Sequence, residues 1–125
     1  MILRLQRELF VVGADLATNP EQRAKLKGGE SLVTPEMVKD LEDLIDRQVE
    51  ARPLPNQFVV PGVNATSAAL DQARAAVRRA ERRAVELREG GGIVTDQVLR
   101  YLNRLSDLLF VLARWQAGGP EEPSR

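Results

Sequence analysis

The arginines of one predicted helix are the residues in this sequence best suited to chemistry. Arg74, Arg78 and Arg82 are spaced four residues apart, so they lie along one face of a helix. Residues 72–83 contain five arginines and one glutamate, Glu81, which gives the segment a local net charge of +4. Guanidinium groups match phosphate oxygens bidentately, so this face predicts a polyphosphate site. The alternative is a solvated helix face with a few acid–base pairs.

A second polar stripe lies on the last predicted helix. Asn103, Asp107, Phe110 and Arg114 are spaced by four, three and four residues, which places them on one helical face. This stripe is distinct from the leucines of the same helix, so it is free to face a ligand or another subunit. The alternative is local hydrogen bonding on an exposed surface.

The composition excludes several kinds of chemistry. The chain has 125 residues with 18 Lys and Arg against 18 Asp and Glu, and it contains neither Cys nor His. Without those two residue types there is no thiolate or imidazole metal site and no Cys or His catalysis, so we predict no metal centre. No run approaches the roughly 20 apolar residues of a membrane span, and no signal peptide is recognisable, so we expect a cytoplasmic protein.

The elements that must position these residues are predicted to be helices. Apolar residues recur every three or four positions in four segments, which begin at Met1, after Thr34, near Asn64 and after Thr95. Residues 18–33 read as a polar loop. The expected buried stripes are Ile2, Leu5, Leu9, Val12 and Leu16 in the first helix, Leu70, Ala73, Val77, Ala80, Ala84 and Leu87 in the third, and Leu99, Leu102, Leu105, Leu109 and Leu112 in the fourth.

These helices predict an all-α antiparallel bundle. Residues 1–119 form a single domain in this interpretation, and residues 120–125 form a disordered tail. The first helical run begins at Met1 with no capping residue before it, which is typical of a helix whose beginning has been removed.

Four stretches resemble the ATP:cob(I)alamin adenosyltransferase family, the type built on a helical bundle with an Arg-rich motif. In chain order these stretches are Gln6–Thr18, Phe58–Gly62, Ala73–Arg82 and Tyr101–Phe110. The resemblance implies a five-helix bundle, of which four helices are present, assembled as a homotrimer with sites between subunits. It also implies that Co(I) of cobalamin attacks the 5′ carbon of ATP, bound with Mg, and releases triphosphate.

The resemblance also implies roles for individual residues. Arg78 would hold the triphosphate, and Arg74 would support the catalytic site through an ion pair. Asn103 would contact the nucleotide. Phe58 would press on the corrin and exclude its lower axial ligand, with Asp107 on the cobalamin side. The remaining residues of the nucleotide side are Arg79, Glu81 and Arg82.

The sequence departs from the family pattern mainly at its beginning. The resemblance implies that the Thr/Gly-rich ATP loop and the first helix are missing, together with the acid expected to pair with Arg74. We therefore expect weakened ATP binding. Asp71 stands where the family commonly has His, and Val63 stands where it commonly has Gly. The candidates for the family's phosphate-contacting lysine are Lys25 and Lys27, and the sequence leaves the choice open.

Two other functions are alternatives to this one. A non-catalytic bundle that assembles through its helices or binds a corrinoid fits the missing ATP loop. A nucleic-acid binder is disfavoured because no aromatic residues are interleaved with the arginines and because residues 34–51 carry a net charge of −4.

Overall fold

Four α-helices make up most of the computed structural model, which describes residues 1–119, 121 and 123. They are α1 (Ile2–Ala17), α2 (Pro35–Ala51), α3 (Ala65–Glu89) and α4 (Asp96–Gln116). The predicted all-α class and its four helices are confirmed. No helix in this part of the chain is both long enough and apolar enough to cross a membrane.

Side-chain caps explain where three of the helices begin. Thr34 accepts a hydrogen bond from the Met37 amide at the start of α2, and Thr95 accepts one from Val98 at the start of α4. Asn64 and Ser67 form a reciprocal capping box at the start of α3. Each cap satisfies amides that have no partner inside the helix, so each fixes the first turn.

Successive helices run in opposite directions. Asn64, which precedes α3, donates to the Gln116 carbonyl at the end of α4, whereas Arg88 near the end of α3 pairs with Asp96 at the start of α4. The Arg104–Glu42 pair and the contact of Arg52 with the end of α4 make α2 parallel to α4. The predicted antiparallel arrangement of consecutive helices is therefore confirmed.

Helix α4 is the centre of the bundle, and each of the other three helices packs against it. Its inward residues Val98, Leu105 and Leu108 are at most 1% exposed. Leu41 of α2 is also fully buried, and the core continues into α1 through Leu5 and Val12. A Leu→Ala change in such a core typically costs about 2–5 kcal/mol, so this packing holds α1 and α2 against α4.

Part of the predicted apolar pattern is wrong about burial. Ile2 and Leu9 are 49% and 38% exposed, and Leu87 is 45% exposed. Ala80 is exposed as well. The two α1 residues are exposed because α1 and α3 are not packed closely against each other and leave an open groove over α4, which Ile2 and Leu9 line.

The loop between α1 and α2 is more ordered than its polar composition predicts. It contains a short 3-10 helix, Pro20–Lys25, and a turn in which the Gly29 amide donates to the Leu32 carbonyl. The predicted tail, residues 120–125, lies partly outside the described residues. Within it, Glu121 contacts Arg114, and Pro123 pairs through its backbone with Val59.

Candidate active site on the α3–α4 face

The two polar stripes predicted from the sequence meet where α3 crosses α4. Because the helices are antiparallel, Arg74 lies beside Phe110, with its guanidinium carbon 5.1 Å from the centre of the ring. With Arg74 opposite Phe110, the antiparallel register of the two helices places Glu81 opposite Asn103 and Arg78 opposite Asp107. The structure therefore brings the Arg-rich helix and the motif of the last helix onto one face.

Three arginines of this face are open to solvent. The side chains of Arg78, Arg79 and Arg82 are exposed. Among the residues that the structure describes, none of the three has a carboxylate within 4.0 Å, although Arg83 on the same helix pairs with Glu86. Unpaired guanidinium groups close together repel one another, so this row is suited to binding an anion with several charges.

Arg74 and Glu81 lie deeper and are incompletely satisfied. The Nε of Arg74 and one carboxylate oxygen of Glu81 are buried, and neither has a hydrogen-bond partner within the described part of the chain. A buried polar group without a partner costs about 1–3 kcal/mol. Such groups are expected where a ligand or another subunit supplies the missing partner.

Asn103 and Asp107 are both partly buried on α4. Asp107 accepts a hydrogen bond from Arg104 at 3.0 Å, and the backbone carbonyl of Asn103 accepts one from Ser106 at 2.8 Å. The Arg104–Asp107 pair is exposed to solvent, so it contributes little to the free energy of unfolding. The Asp107 carboxylate can therefore exchange Arg104 for another partner at little cost. The assigned contacts of these two residues with nucleotide and corrin remain predictions.

Phe58 lies on the connector between α2 and α3. Its side chain is 85% exposed and makes no core contact. The connector carries the turn at Gly62, whose φ of +90° suits glycine. An aromatic ring held this far into solvent does not stabilise the fold by burial, which is consistent with a ligand contact. The structure does not bring Phe58 against Arg74 within one chain.

The α3–α4 face continues into a buried ion-pair cluster that sequence reasoning missed. Arg114 is only 8% exposed and pairs with Asp71 of α3 and, at 2.7 Å, with Glu121. Its guanidinium carbon also lies 5.0 Å from the centre of the Phe110 ring. Asp71 and Arg114 are 43 residues apart, so the only available signal was their opposite charge on two helices of unknown register.

The loop lysines lie on the surface. Lys25 and Lys27 are both exposed, so both candidate phosphate contacts are open to solvent. The loop itself is anchored through Arg23, which pairs with the buried Asp15 at 2.7 Å. Within the described residues no group of three acidic side chains is placed to hold a metal ion.

Comparisons with known proteins all match one family. The sequence model of the family described as cobalamin adenosyltransferase matches residues 1–116. A corrinoid adenosyltransferase of Citrobacter freundii is 40% identical over 120 residues, which cover 94% of this chain and 64% of that protein. The corrinoid adenosyltransferase MMAB of Bos taurus is 40% identical over 125 residues, covering 95% of this chain and 50% of that protein.

Solved structures show the same similarity. A variant of the PduO-type ATP:corrinoid adenosyltransferase of Lactobacillus reuteri, complexed with cobalamin and ATP, superposes with a TM-score of 0.83 and is 31% identical. The match covers 97% of this chain and 64% of that one. A helical bundle with an arginine-rich face is thus the class of protein defined here. The chain belongs to the cobalamin adenosyltransferase family.

Proposed function

We propose that this chain transfers the 5′-deoxyadenosyl group of ATP to the Co(I) form of a corrinoid. In this reaction the electron pair of cobalt forms a bond to the 5′ carbon, the bond from that carbon to oxygen breaks, and triphosphate leaves. The single observation that carries the proposal is the row of exposed guanidinium groups of Arg78, Arg79 and Arg82 on α3, which have no carboxylate partner among the described residues. The ATP and cobalamin named for the Lactobacillus reuteri protein support it.

The residues of the α3–α4 face fit the charge changes of that reaction. Negative charge grows on the triphosphate as it leaves, and fixed guanidinium groups stabilise such charge without proton transfer. Arg78 binds the triphosphate in this proposal, and Asn103 contacts the nucleotide. The nucleophile belongs to the corrinoid, so the chain has to bind and orient two substrates and needs no catalytic His or Cys.

The corrinoid side of the proposed site contains Phe58 and Asp107. The exposed ring of Phe58 presses on one face of the corrin and excludes a lower axial ligand. The proposal also includes a cytoplasmic homotrimer with sites between subunits, which supplies partners for the unsatisfied Arg74 and Glu81 atoms. Sedimentation that gives three times the mass of one chain, 13.9 kDa, would support the trimer, and the mass of a single chain would contradict it.

The test of the proposed function is Arg78→Ala, compared with Arg83→Ala as a matched control. Both side chains are exposed on α3, but Arg83 pairs with Glu86 and is outside the proposed site. Formation of adenosylcobalamin from ATP and chemically reduced cobalamin is followed by absorbance. We expect Arg78→Ala to lower kcat/KM by at least 100-fold, about 2.7 kcal/mol, because one charged transition-state contact is lost. Equal rates for the two variants would contradict the assignment.

A second function is kept because the chain spans only 64% and 50% of the two curated relatives. A non-catalytic bundle that binds a corrinoid would change the absorbance of added cobalamin without forming product. Product formation by the wild-type chain excludes this alternative.

A further inference from the structure

The connector between α2 and α3 is not held in place by burial. Every one of residues 53–63 is exposed except Val59, which is partly buried. A cavity of about 280 Å³ lies between the connector and α4, and Leu54 and Val59 line it on the connector side. Packing against α4 therefore does not fix this segment, although it carries Phe58, the residue that the proposed function places against the corrin.

Contacts with the end of the chain hold the connector instead. At its two ends, the side chains of Arg52 and Asn64 donate to backbone carbonyls at the end of α4, at 3.2 and 2.8 Å. In its middle, the backbone of Val59 pairs with that of Pro123 in the tail that follows α4. Among the described residues this is the only backbone pairing of residues 53–63, so the tail is the element that holds the middle of the connector.

The tail is anchored in turn by a buried ion pair. The side chain of Glu121 is 4% exposed, and its Oε1 lies 2.7 Å from the Nε of Arg114, whose side chain is 8% exposed. Glu121 is two residues from Pro123, so this pair fixes the tail close to the point where it meets Val59. Asp71 of α3 also pairs with Arg114, which gives the three charged side chains a net charge of −1.

We propose that Glu121 is a positioning residue, which anchors the tail on Arg114, holds the connector through the tail, and so orders Phe58 before the corrin binds. The inference rests on the part of the proposed function that places the corrin against Phe58. Asp71 alone is enough to neutralise the buried guanidinium of Arg114, so Glu121 is not needed for charge balance. What Glu121 adds is a link from α4 to the tail, and a preordered connector binds its ligand with less loss of conformational entropy.

The first measurement follows the motion of the connector. The chain contains no Cys, so Phe58→Cys accepts a single nitroxide label whose electron paramagnetic resonance spectrum reports the mobility of the connector. We expect Glu121→Ala to narrow the lines of this spectrum, and a chain that ends at Gly119 to narrow them equally. Asp71→Ala is the matched control, because it also removes one carboxylate from Arg114 and changes the charge of the cluster by the same amount, but leaves the tail attached. Its spectrum should match that of the labelled chain without the second change, with circular dichroism showing that every variant is folded.

The second measurement is the affinity of the unlabelled chain for cobalamin in its Co(II) form, titrated by absorbance. We expect Glu121→Ala to weaken binding about 3- to 10-fold, since the corrin then has to order a mobile connector. Asp71→Ala should keep the wild-type affinity. In a Phe58→Ala background, Glu121→Ala should have no further effect, because the ring that Glu121 positions is absent.

The outcomes separate this inference from the proposed function. Equal effects of Glu121→Ala and Asp71→Ala on mobility and affinity would show that the cluster acts through charge or stability, and would overturn the inference. An undiminished effect of Glu121→Ala in the Phe58→Ala background would overturn it as well. If Glu121→Ala acts as expected but the wild-type chain forms no adenosylcobalamin from ATP, the inference stands and the proposed function fails. If product forms and Glu121→Ala changes neither mobility nor affinity, the proposed function stands and the inference fails.

Discussion

Tyr101 shows how one buried side chain couples the stability of the bundle to pH. It is fully buried, and its hydroxyl donates to Glu8 of α1 at 3.1 Å. Burial raises the pKa of Tyr101 far above its ordinary value, and the negative charge of Glu8 raises this pKa further. The folded chain therefore holds the phenol proton more tightly than the unfolded chain, whose tyrosine titrates near pH 10. The stability from this group is complete below about pH 10 and is lost as pH rises above it.

We predict that ionisation of Tyr101 and unfolding occur together above about pH 10. The chain has a single tyrosine, so tyrosinate absorbance reports this residue alone. Absorbance and helical circular dichroism should change in one transition. Tyr101→Phe should make the free energy of unfolding less dependent on pH in this range. Tyrosinate that forms near pH 10 while the helices stay intact would contradict the prediction.

The placement of side chains on one face could be predicted where a single helix carries the whole pattern. The spacing of Arg74, Arg78 and Arg82 fixes their shared face without any tertiary information. The Asp71–Arg114 pair could not be predicted, because it depends on the register of two helices. Tyr101 belonged to a recognised motif, but its partner Glu8 lies 93 residues away in the sequence.

At the scale of elements, α1 holds the following loop through one buried carboxylate. Asp15 is 1% exposed and accepts hydrogen bonds from Arg23 at 2.7 Å and from the Val33 amide at 2.9 Å. Arg23 also donates to the Asp15 carbonyl. These contacts join the 3-10 helix and the last residue of the loop to α1, which explains why a polar, glycine-containing segment keeps a defined path.

We predict that Asp15→Asn lowers the free energy of unfolding by about 3 kcal/mol, since it leaves Arg23 without its charged partner in a nearly buried site. Urea unfolding measures the change, and hydrogen exchange at the Val33 amide should become faster. The matched control is Asp43→Asn, which removes the exposed pair with Lys39 and should cost less than about 0.5 kcal/mol. Equal costs for the two variants would contradict the role of Asp15.

The helices were the most predictable elements, because their signals are local. Thr34 with Pro35, Asn64 and Thr95 mark helix starts through caps that depend only on neighbouring residues. Burial was harder to predict. The apolar pattern placed Ile2 and Leu9 in the core, but a helix face is buried only where another element covers it.

At the scale of the whole molecule, the groove between α1 and α3 is an apolar surface that no other element of the described residues covers. It has a volume of about 590 Å³, and Leu105 and Leu109 of α4 form its floor. Ile2 and Leu9 lie on its α1 side. We propose that a further helix packs here, as the resemblance to a five-helix family implies. The Citrobacter freundii relative is longer than this chain, since the match covers 64% of it, and its additional residues are enough to form such a helix.

The groove proposal predicts that Ala69→Leu has different effects in two chain lengths. Ala69 lines the groove and is exposed in this chain, so a larger side chain there should change the free energy of unfolding by less than about 0.5 kcal/mol. In a chain extended before Met1 by the corresponding segment of the Citrobacter freundii relative, the same leucine would overfill the helix interface and cost about 1–3 kcal/mol. Ala75→Leu is the control, because Ala75 is exposed on α3 outside the groove. Its effect should be the same in both chains, and an equal cost of Ala69→Leu in both would show that no helix occupies the groove.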